Sequence, residues 1–542
     1  MPTPISPLKF INETRESIKK SHFSSIITII LGVTIVAAIL YYLTTNYSST
    51  VFHQNELREG IIGQPRFLNP LFSEENEIDR TVTSLVFNGL VKYDYDTKSF
   101  IGDIAEKYEI QEDGKVYHFY LKDNIYFHDG QKLTIDDILF TYEVIQSDNY
   151  HDFWKDAFSD VQIEKINDKE LKMTLKAPLA SFIEHNTVGI LPKHLFKDVN
   201  DALRPDHIFN VSPVGTGKFK YFKKELFSDA AHKIESLILN NTNNNSVISK
   251  IRFNFYDNEE ALLNAFKMGE IDSFGSLNSN LQNTLKDWTK KKVNIKPLEQ
   301  RYYGLFFNLK SAKKINTIEV REAIARSINL DELLKSVFPN EEVIKMNGPI
   351  ETSSWAYDKD IKTYAFDLVK AKELIKDIPE EELQFTLTYP NTEVNYETAT
   401  ILKKHLEDIG LKIELNSVTL YNLRDTVVGP RDFEILLLGQ EVFHDPDRYA
   451  LWHSTQTDYP NLNISQFKSR FADRALEQER KTTDQAKRIT AYKDFQRYFQ
   501  SEIPAVMLYQ PNYYYFIINR FADKMPISQI YTPEDRFNSL LK

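Results

Sequence analysis

One uninterrupted apolar run, Ile26 to Leu43, divides this chain into two unequal parts and sets the conditions under which the larger part folds. Its eighteen residues, IITIILGVTIVAAILYYL, carry no charge, and Thr28 and Thr34 are its polar members before the closing tyrosines. As an α-helix it rises about 1.5 Å per residue and nearly spans a hydrocarbon core about 30 Å thick. Lys9, Arg15, Lys19 and Lys20 precede it as a cationic flank that stays in the cytoplasm, and Tyr41 and Tyr42 suit the outer interface. A cleaved signal sequence has a shorter apolar region, about 7–15 residues, and ends in small residues. Here the chain continues Leu40-Tyr41-Tyr42-Leu43-Thr44. The sequence therefore predicts a cytoplasmic tail at 1–25, a single-pass plasma-membrane anchor at 26–43, a polar tether at 44–58 and an extracytoplasmic body at 59–542.

That body has to hold together through its core. The chain has no cysteine, so neither disulfides nor a lipid-modified cysteine contribute, although an exported domain is free to use disulfides. A chain of this length can bury enough apolar surface without them. The net charge of −11 is spread along the sequence. With no basic face, a nucleic-acid partner is not expected, and the acidic balance serves solubility. Aromatic residues, 13 % of the chain, fill cores in most proteins; an aromatic-walled cleft is the functional alternative.

Patterning along the body alternates between strands and helices. Glu59-Gly60-Ile61-Ile62-Gly63 reads as a strand entering a turn, and Ile78–Leu90 has helical spacing through Val82, Leu85, Val86 and Leu90. Lys115–Leu121 alternates as a strand behind the turn pair Asp113-Gly114. Thr134 is placed to cap a helix with Asp136 and Asp137 in its first turn. Further on, Ile318–Lys335 reads as one helix, Leu383–Tyr389 as a strand and Thr398–Ile409 as an amphipathic helix stopped by Gly410. Lys412–Leu415 and the apolar run Phe433–Leu438 read as strands, and Gln485–Phe499 as a helix. Such alternation indicates α/β architecture with mixed sheets, and the length indicates more than one lobe.

An ordered set of short motifs accompanies this pattern. Gly60-Ile-Ile-Gly-Gln-Pro-Arg-Phe-Leu-Asn-Pro-Leu71 is followed by Val86-Phe-Asn-Gly-Leu-Val-Lys-Tyr-Asp94, Ile125-Tyr-Phe-His-Asp-Gly-Gln-Lys-Leu-Thr-Ile-Asp-Asp137 and Ser212-Pro-Val-Gly-Thr-Gly217. Gly269-Glu-Ile-Asp272, Tyr303-Gly-Leu-Phe-Phe-Asn308, Val320-Arg-Glu-Ala-Ile-Ala325 and Asp445-Pro-Asp447 complete it. Taken together, from about 59 to 520, the chain resembles the solute-binding proteins of oligopeptide and dipeptide ABC importers, the peptide/nickel-binding family. Neither glycine motif reads as chemistry. Ser212–Gly217 lacks the Gly-Lys-Ser/Thr ending of a phosphate loop, and His128 has no second His or Cys at ligand spacing. Both read as structural turns.

The resemblance implies a bilobal, periplasmic-binding-protein-like α/β fold of class II, of the three-domain dipeptide/oligopeptide-binding type, preceded by the one transmembrane helix. Lobe 1 would comprise 59–99, 191–310 and 500–542, an inserted subdomain 100–190, and lobe 2 311–499. It also implies a monomeric binder with no cofactor, no metal site and no catalysis. Such a binder takes an oligopeptide between its lobes and passes it to ABC permease subunits with cytoplasmic ATPases. A non-transporting sensor or scaffold on this fold, a secreted hydrolase, and a binder of a nickel chelate, haem or sugar are the alternatives.

A peptide site needs strand-like edges for the guest backbone, a carboxylate for its ammonium and a cation for its carboxylate. In the family the ammonium-binding aspartate lies a few residues before the Asp-Pro element, where this chain has Val442. Glu441 or Asp445 is placed to substitute, with Asp447 nearby; either also reads as a solvated loop charge. Tyr303, Phe306 and Asn308, on the segment that the resemblance puts near the cleft, and Trp452 complete the expected ligand-binding set. Tyr302, Phe307, Arg431 and Arg448 are weaker candidates, and a core role suits Tyr303, Phe307 and Trp452 equally well.

Overall fold

A computed structural model describes residues 55–541 apart from 229, 231, 232, 244, 245, 312 and 340. The cytoplasmic tail, the apolar run 26–43 and all but the end of the tether lie outside these residues. Among the described residues no helix is long and apolar enough to cross a membrane.

Regular structure begins at Glu56, so residues 56–58 belong to the body and not to the tether. The strand Glu56–Ile62 runs parallel to both Lys250–Tyr256 and Ser273–Ser276. It sits inside a seven-stranded sheet with the order 291–297, 512–518, 273–276, 56–62, 250–256, 234–241, 219–226. A second, six-stranded sheet has the order 344–345, 505–510, 301–307, 435–441, 384–390, 412–418. Between the first strand and the rest of the first sheet the chain builds a hairpin, 91–94 with 99–102. It then builds a four-stranded antiparallel sheet from 105–111, 116–121, 170–174 and 162–167. The result is a bilobal α/β body with an inserted subdomain.

Alternate residues on the central strands serve opposite layers, as a two-residue period requires. In Asn512–Ile518, Tyr513, Tyr515 and Ile517 enter the large core shared with Val82, Leu85 and Phe253, while Tyr514 and Phe516 enter a separate cluster with Phe266 and Phe274. In Arg301–Phe307, Leu305 and Phe307 pack with Ile324, Ile435 and Leu437, while Tyr302 and Phe306 pack with Leu436, Trp452 and Phe499. Sheets covered on both faces read as nearly continuous apolar runs.

The chain crosses between the sheets at two adjacent points. Strand 291–297 passes through Leu298–Gln300 into 301–307, and strand 505–510 passes through Pro511 into 512–518. The Leu298 amide donates to the Pro511 carbonyl at 2.8 Å, and Gln510 Nε2 donates to the Glu299 carbonyl at 3.1 Å. Residues 301–307 and 505–510, placed in lobe 1 by the sequence, are strands of the second sheet. The first crossing is a tight turn closed by the Arg301 amide donating to the Leu298 carbonyl at 3.1 Å, and the second is the single residue Pro511 between two strands.

Local motifs are resolved in detail. Thr134 and Asp137 form a reciprocal capping box on the helix Ile135–Gln146, with the Thr134 amide donating to Asp137 Oδ2 at 2.8 Å. The expected helix 318–335 is two helices, Ile318–Ser327 and Leu330–Val337. Ile328 is extended, and the Asn329 side chain accepts the Glu332 amide at 3.2 Å to start the second helix. His128 joins the two glycine motifs: its Nδ1 accepts the Gly215 amide at 3.3 Å, and its Nε2 donates to the Gly217 carbonyl at 2.8 Å.

Candidate functional site

A cavity of about 500 Å³ lies between the lobes. From the first lobe Arg66, Glu74, Glu75, Glu77 and Arg80 face it, and from the second Arg301, Arg424 and Glu441. Its first wall is built by one helix start. The Asn76 side chain accepts the Ile78 amide at 2.8 Å and caps the helix Glu77–Val86, which places Glu77 and Arg80 one turn apart on the wall. Buried Asp79 accepts the Arg66 and Phe67 amides at 2.8 and 3.0 Å and pins the loop that carries Arg66 against this helix. Burial pushes Asp79 up to about 6, against the pull of those two hydrogen bonds.

The second wall is set by strand register. Arg301 and Glu441 are direct cross-strand partners and form an ion pair. Arg80 reaches Glu441 at 3.9 Å from the other lobe and Glu534 at 3.3 Å. Burial raises Glu441, but the Arg301 and Arg80 guanidiniums outweigh it and hold the carboxyl below the usual carboxylate range. Arg424 bridges the lobes to Glu75 at 3.1 Å. Burial pushes Glu74 up to about 7, partly offset by Arg80, and likewise raises Glu77. No hydrogen bond or ion pair joins the side chains of Arg66, Glu74 or Glu77 to another described residue.

Of the residues expected from sequence, Glu441 faces this cavity. Asp445 is held by Arg488 at 2.6 and 2.8 Å, and Asp447 by Arg480 at 2.8 Å and Ser181 at 2.9 Å. Phe306 and Trp452 stack on each other inside the second lobe, centroids 5.9 Å apart. Tyr303 stacks on Tyr509 on the opposite face of the same sheet. Asn308 donates to the Arg431 and Phe433 carbonyls at 3.0 Å each, closing a loop. Arg431 binds the Val428 and Asn461 carbonyls, and Arg448 pairs with Glu351 in a fully buried position. Buried Val442 donates its amide to the Gln300 carbonyl and makes no polar side-chain contact. Among the described residues no group of three or more His, Asp or Glu side chains is arranged to hold a metal ion.

The loop from Glu441 to Arg448 joins the lobes. Glu184 of the inserted subdomain accepts from the His444 amide and Nδ1 at 2.8 and 3.0 Å and from the Asp445 amide at 2.9 Å. Tyr531 donates to the Val442 carbonyl at 3.1 Å.

With this geometry in place, comparison with known proteins is informative. The family model described as bacterial extracellular solute-binding proteins, family 5 Middle, matches residues 99–461. The chain belongs to this family. Among relatives of this family 5 protein, the oligopeptide-binding protein AppA of Bacillus subtilis is 25 % identical over 480 residues, covering 84 % of this chain and 86 % of its own. The dipeptide-binding protein of Escherichia coli is 22 % identical, covering 82 % and 87 %. In fold, this chain resembles the substrate-binding protein CtaP of Listeria monocytogenes, with TM-score 0.78, 21 % identity and coverage of 89 % and 98 %. It also resembles DppA of Helicobacter pylori in complex with the peptide STSA, with TM-score 0.73, 24 % identity and coverage of 89 % and 97 %. The resemblance carried by the sequence motifs is thus upheld.

The sequence reading of this family 5 member passed over Arg66, Glu74, Glu75, Glu77, Arg80, Arg301 and Arg424. In sequence, Glu74–Arg80 reads as an ordinary acidic helix start. The available signal was charge density directly after Gly60–Leu71, a segment without other solvated charge.

Proposed function

We propose that this chain is an extracytoplasmic solute-binding protein that captures peptides in its interlobe cavity and delivers them to an ABC importer. The observation that carries the reading is the cavity itself: it is walled by side chains of both lobes, so a guest there contacts both and favours their closure. Its volume falls in the range of small-molecule sites, about 300–1,000 Å³. Curated relatives of similar length are named as oligopeptide- and dipeptide-binding proteins, which supports a peptide guest. The protein works as a binder and catalyses no reaction. In this reading residues 26–43 anchor it as a monomer to the outer face of the membrane, where tethering raises its effective concentration near the permease. The lobes are divided as the two sheets are.

Native purification followed by mass spectrometry tests the guest. Recovery of short peptides, and a rise in melting temperature when they are added back to emptied protein, is the expected result. A protein recovered empty that no peptide stabilises overturns the reading. Protease added to spheroplasts should remove the body; its protection would overturn the topology.

A further inference from the structure

The loop carboxylates of the second lobe are already neutralised. Asp445 holds Arg488 through two hydrogen bonds, Asp447 holds Arg480, and Glu441 lies between Arg301 and Arg80. A cationic group arriving at any of them meets a guanidinium first. On the opposite wall Glu74 and Glu77 face the same cavity with no direct side-chain hydrogen bond or ion pair among the described residues: Arg80 acts on Glu74, and Arg301, Arg536 and Arg80 act on Glu77, only at longer range. Arg66 beside them likewise makes no side-chain hydrogen bond or ion pair among the described residues and acts on Asp79 and Asp152 at longer range. Charges with no direct partner in a cleft that closes lose hydration with only partial compensation, so the empty closed form is disfavoured until a guest supplies direct counter-charges. The lining residues are all charged, which makes an apolar guest a poor fit.

We propose that Glu74 and Glu77 of the first lobe receive the cationic group of the guest and that Arg66 receives an anionic one, so that the cavity selects a zwitterionic, peptide-sized solute. This rests on reading the cavity as the solute site. Charge-assisted hydrogen bonds of this kind are the strong ones, and a guanidinium can take a carboxylate through two parallel bonds. The groups that set the field at Glu74 are Arg80, Glu534, Glu441 and Asp152. Its carboxyl, raised to about 7, should lose a proton when a cation binds.

The test uses a size-fractionated casein hydrolysate as probe, either native or with its amino groups acetylated. It is titrated into emptied wild type, Glu74→Gln/Glu77→Gln and Arg66→Gln proteins, with thermal melting and calorimetry as readouts. Native hydrolysate is expected to stabilise wild type and the acetylated form to bind about tenfold more weakly or worse, the loss typical of a charged hydrogen bond. The double variant should bind native hydrolysate about tenfold more weakly and no longer distinguish the two forms. Arg66→Gln should bind more weakly yet still distinguish them. At pH 7 the wild-type binding enthalpy should change with the ionisation enthalpy of the buffer, and that of the double variant should not. A double variant that binds like wild type, or acetylated hydrolysate that binds wild type equally well, overturns the assignment and leaves the cavity as the solute site. Hydrolysate that never binds wild type overturns both. Should the double variant not fold, each single variant carries the same comparison.

Discussion

The imidazole of His444 lies 3.7 Å from the ring of Tyr531, nearly parallel to it at 16°. Tyr93 covers its other face at 3.9 Å. A residue from the second lobe is thus clasped by two aromatic rings belonging to the first, and Glu184 holds its Nδ1 from the inserted subdomain. Three segments far apart in sequence meet at one side chain.

Replacing His444 by Ala should loosen this junction. Each aromatic pair contributes about 0.5–1.5 kcal/mol beyond its buried area, and the Glu184 carboxylate loses the Nδ1 hydrogen bond, worth a further ~1 kcal/mol. The expected outcome is a melting temperature lower by several degrees and a larger radius of gyration for the unliganded protein in solution scattering. An unchanged radius and an unchanged melting temperature would show that the clasp does not hold the lobes.

Arg448 and Glu351 make a different kind of contact, with both side chains almost wholly inside the second lobe and the guanidinium donating twice to the carboxylate at 2.7 Å. Arg448→Met strands a buried carboxylate and should cost about 3–5 kcal/mol. Arg448→Met/Glu351→Leu should recover most of that loss, because removing both charges also removes their desolvation penalty. Urea unfolding of the two variants checks this; equal losses in both would mean that packing, not charge, is what the pair supplies.

The two glycine motifs separate conformational strain from crowding. Gly130 has φ +94° and open space where a Cβ would stand, so Gly130→Ala should cost only the backbone term, about 1–2 kcal/mol. A Cβ on Gly215 would lie 2.0 Å from the Val86 carbonyl oxygen. Two backbones meet there, and no rotamer relieves the clash. Gly215→Ala should therefore unfold the first lobe or reduce soluble yield severely. Equal tolerance of both alanines in a thermal melt would contradict the close approach at Gly215.

The same motifs show how far the sequence could be read. The Thr134 cap, the His128 turn and the tight Ser212–Gly217 connection were legible because each is local: a few residues and known turn chemistry decide them. Strand positions were legible from alternation, but the lobe boundaries were not, since the crossings at Leu298–Gln300 and Pro511 are as short as turns that stay within one sheet. The candidate site was the least legible. Phe306, Asn308 and Trp452 lie beside family motifs in sequence, yet strand alternation turns Phe306 into the core, where Trp452 stacks on it. The cavity charges Arg66 and Glu74 of one lobe meet Arg424 of the other only through the packing of the lobes, a long-range relation that spacing along the chain does not encode.

Glu74 provides the last prediction, which needs no ligand. Its carboxyl is raised from 4.5 to about 7, chiefly by burial between the lobes. Between those values the folded protein keeps a proton that the unfolded chain has released, so this group's contribution to stability is fully present below pH 4.5 and is lost as pH rises through 7. Glu74→Gln cannot titrate and escapes the loss. The difference in melting temperature, variant minus wild type, should thus climb in favour of the variant from pH 4.5 to pH 7 and level off above it. Taking the difference cancels the pH dependence of every other group that the substitution leaves undisturbed. A flat difference across that range would mean that cavity water, not burial, governs Glu74, and that its carboxylate stands ionised in the empty cleft.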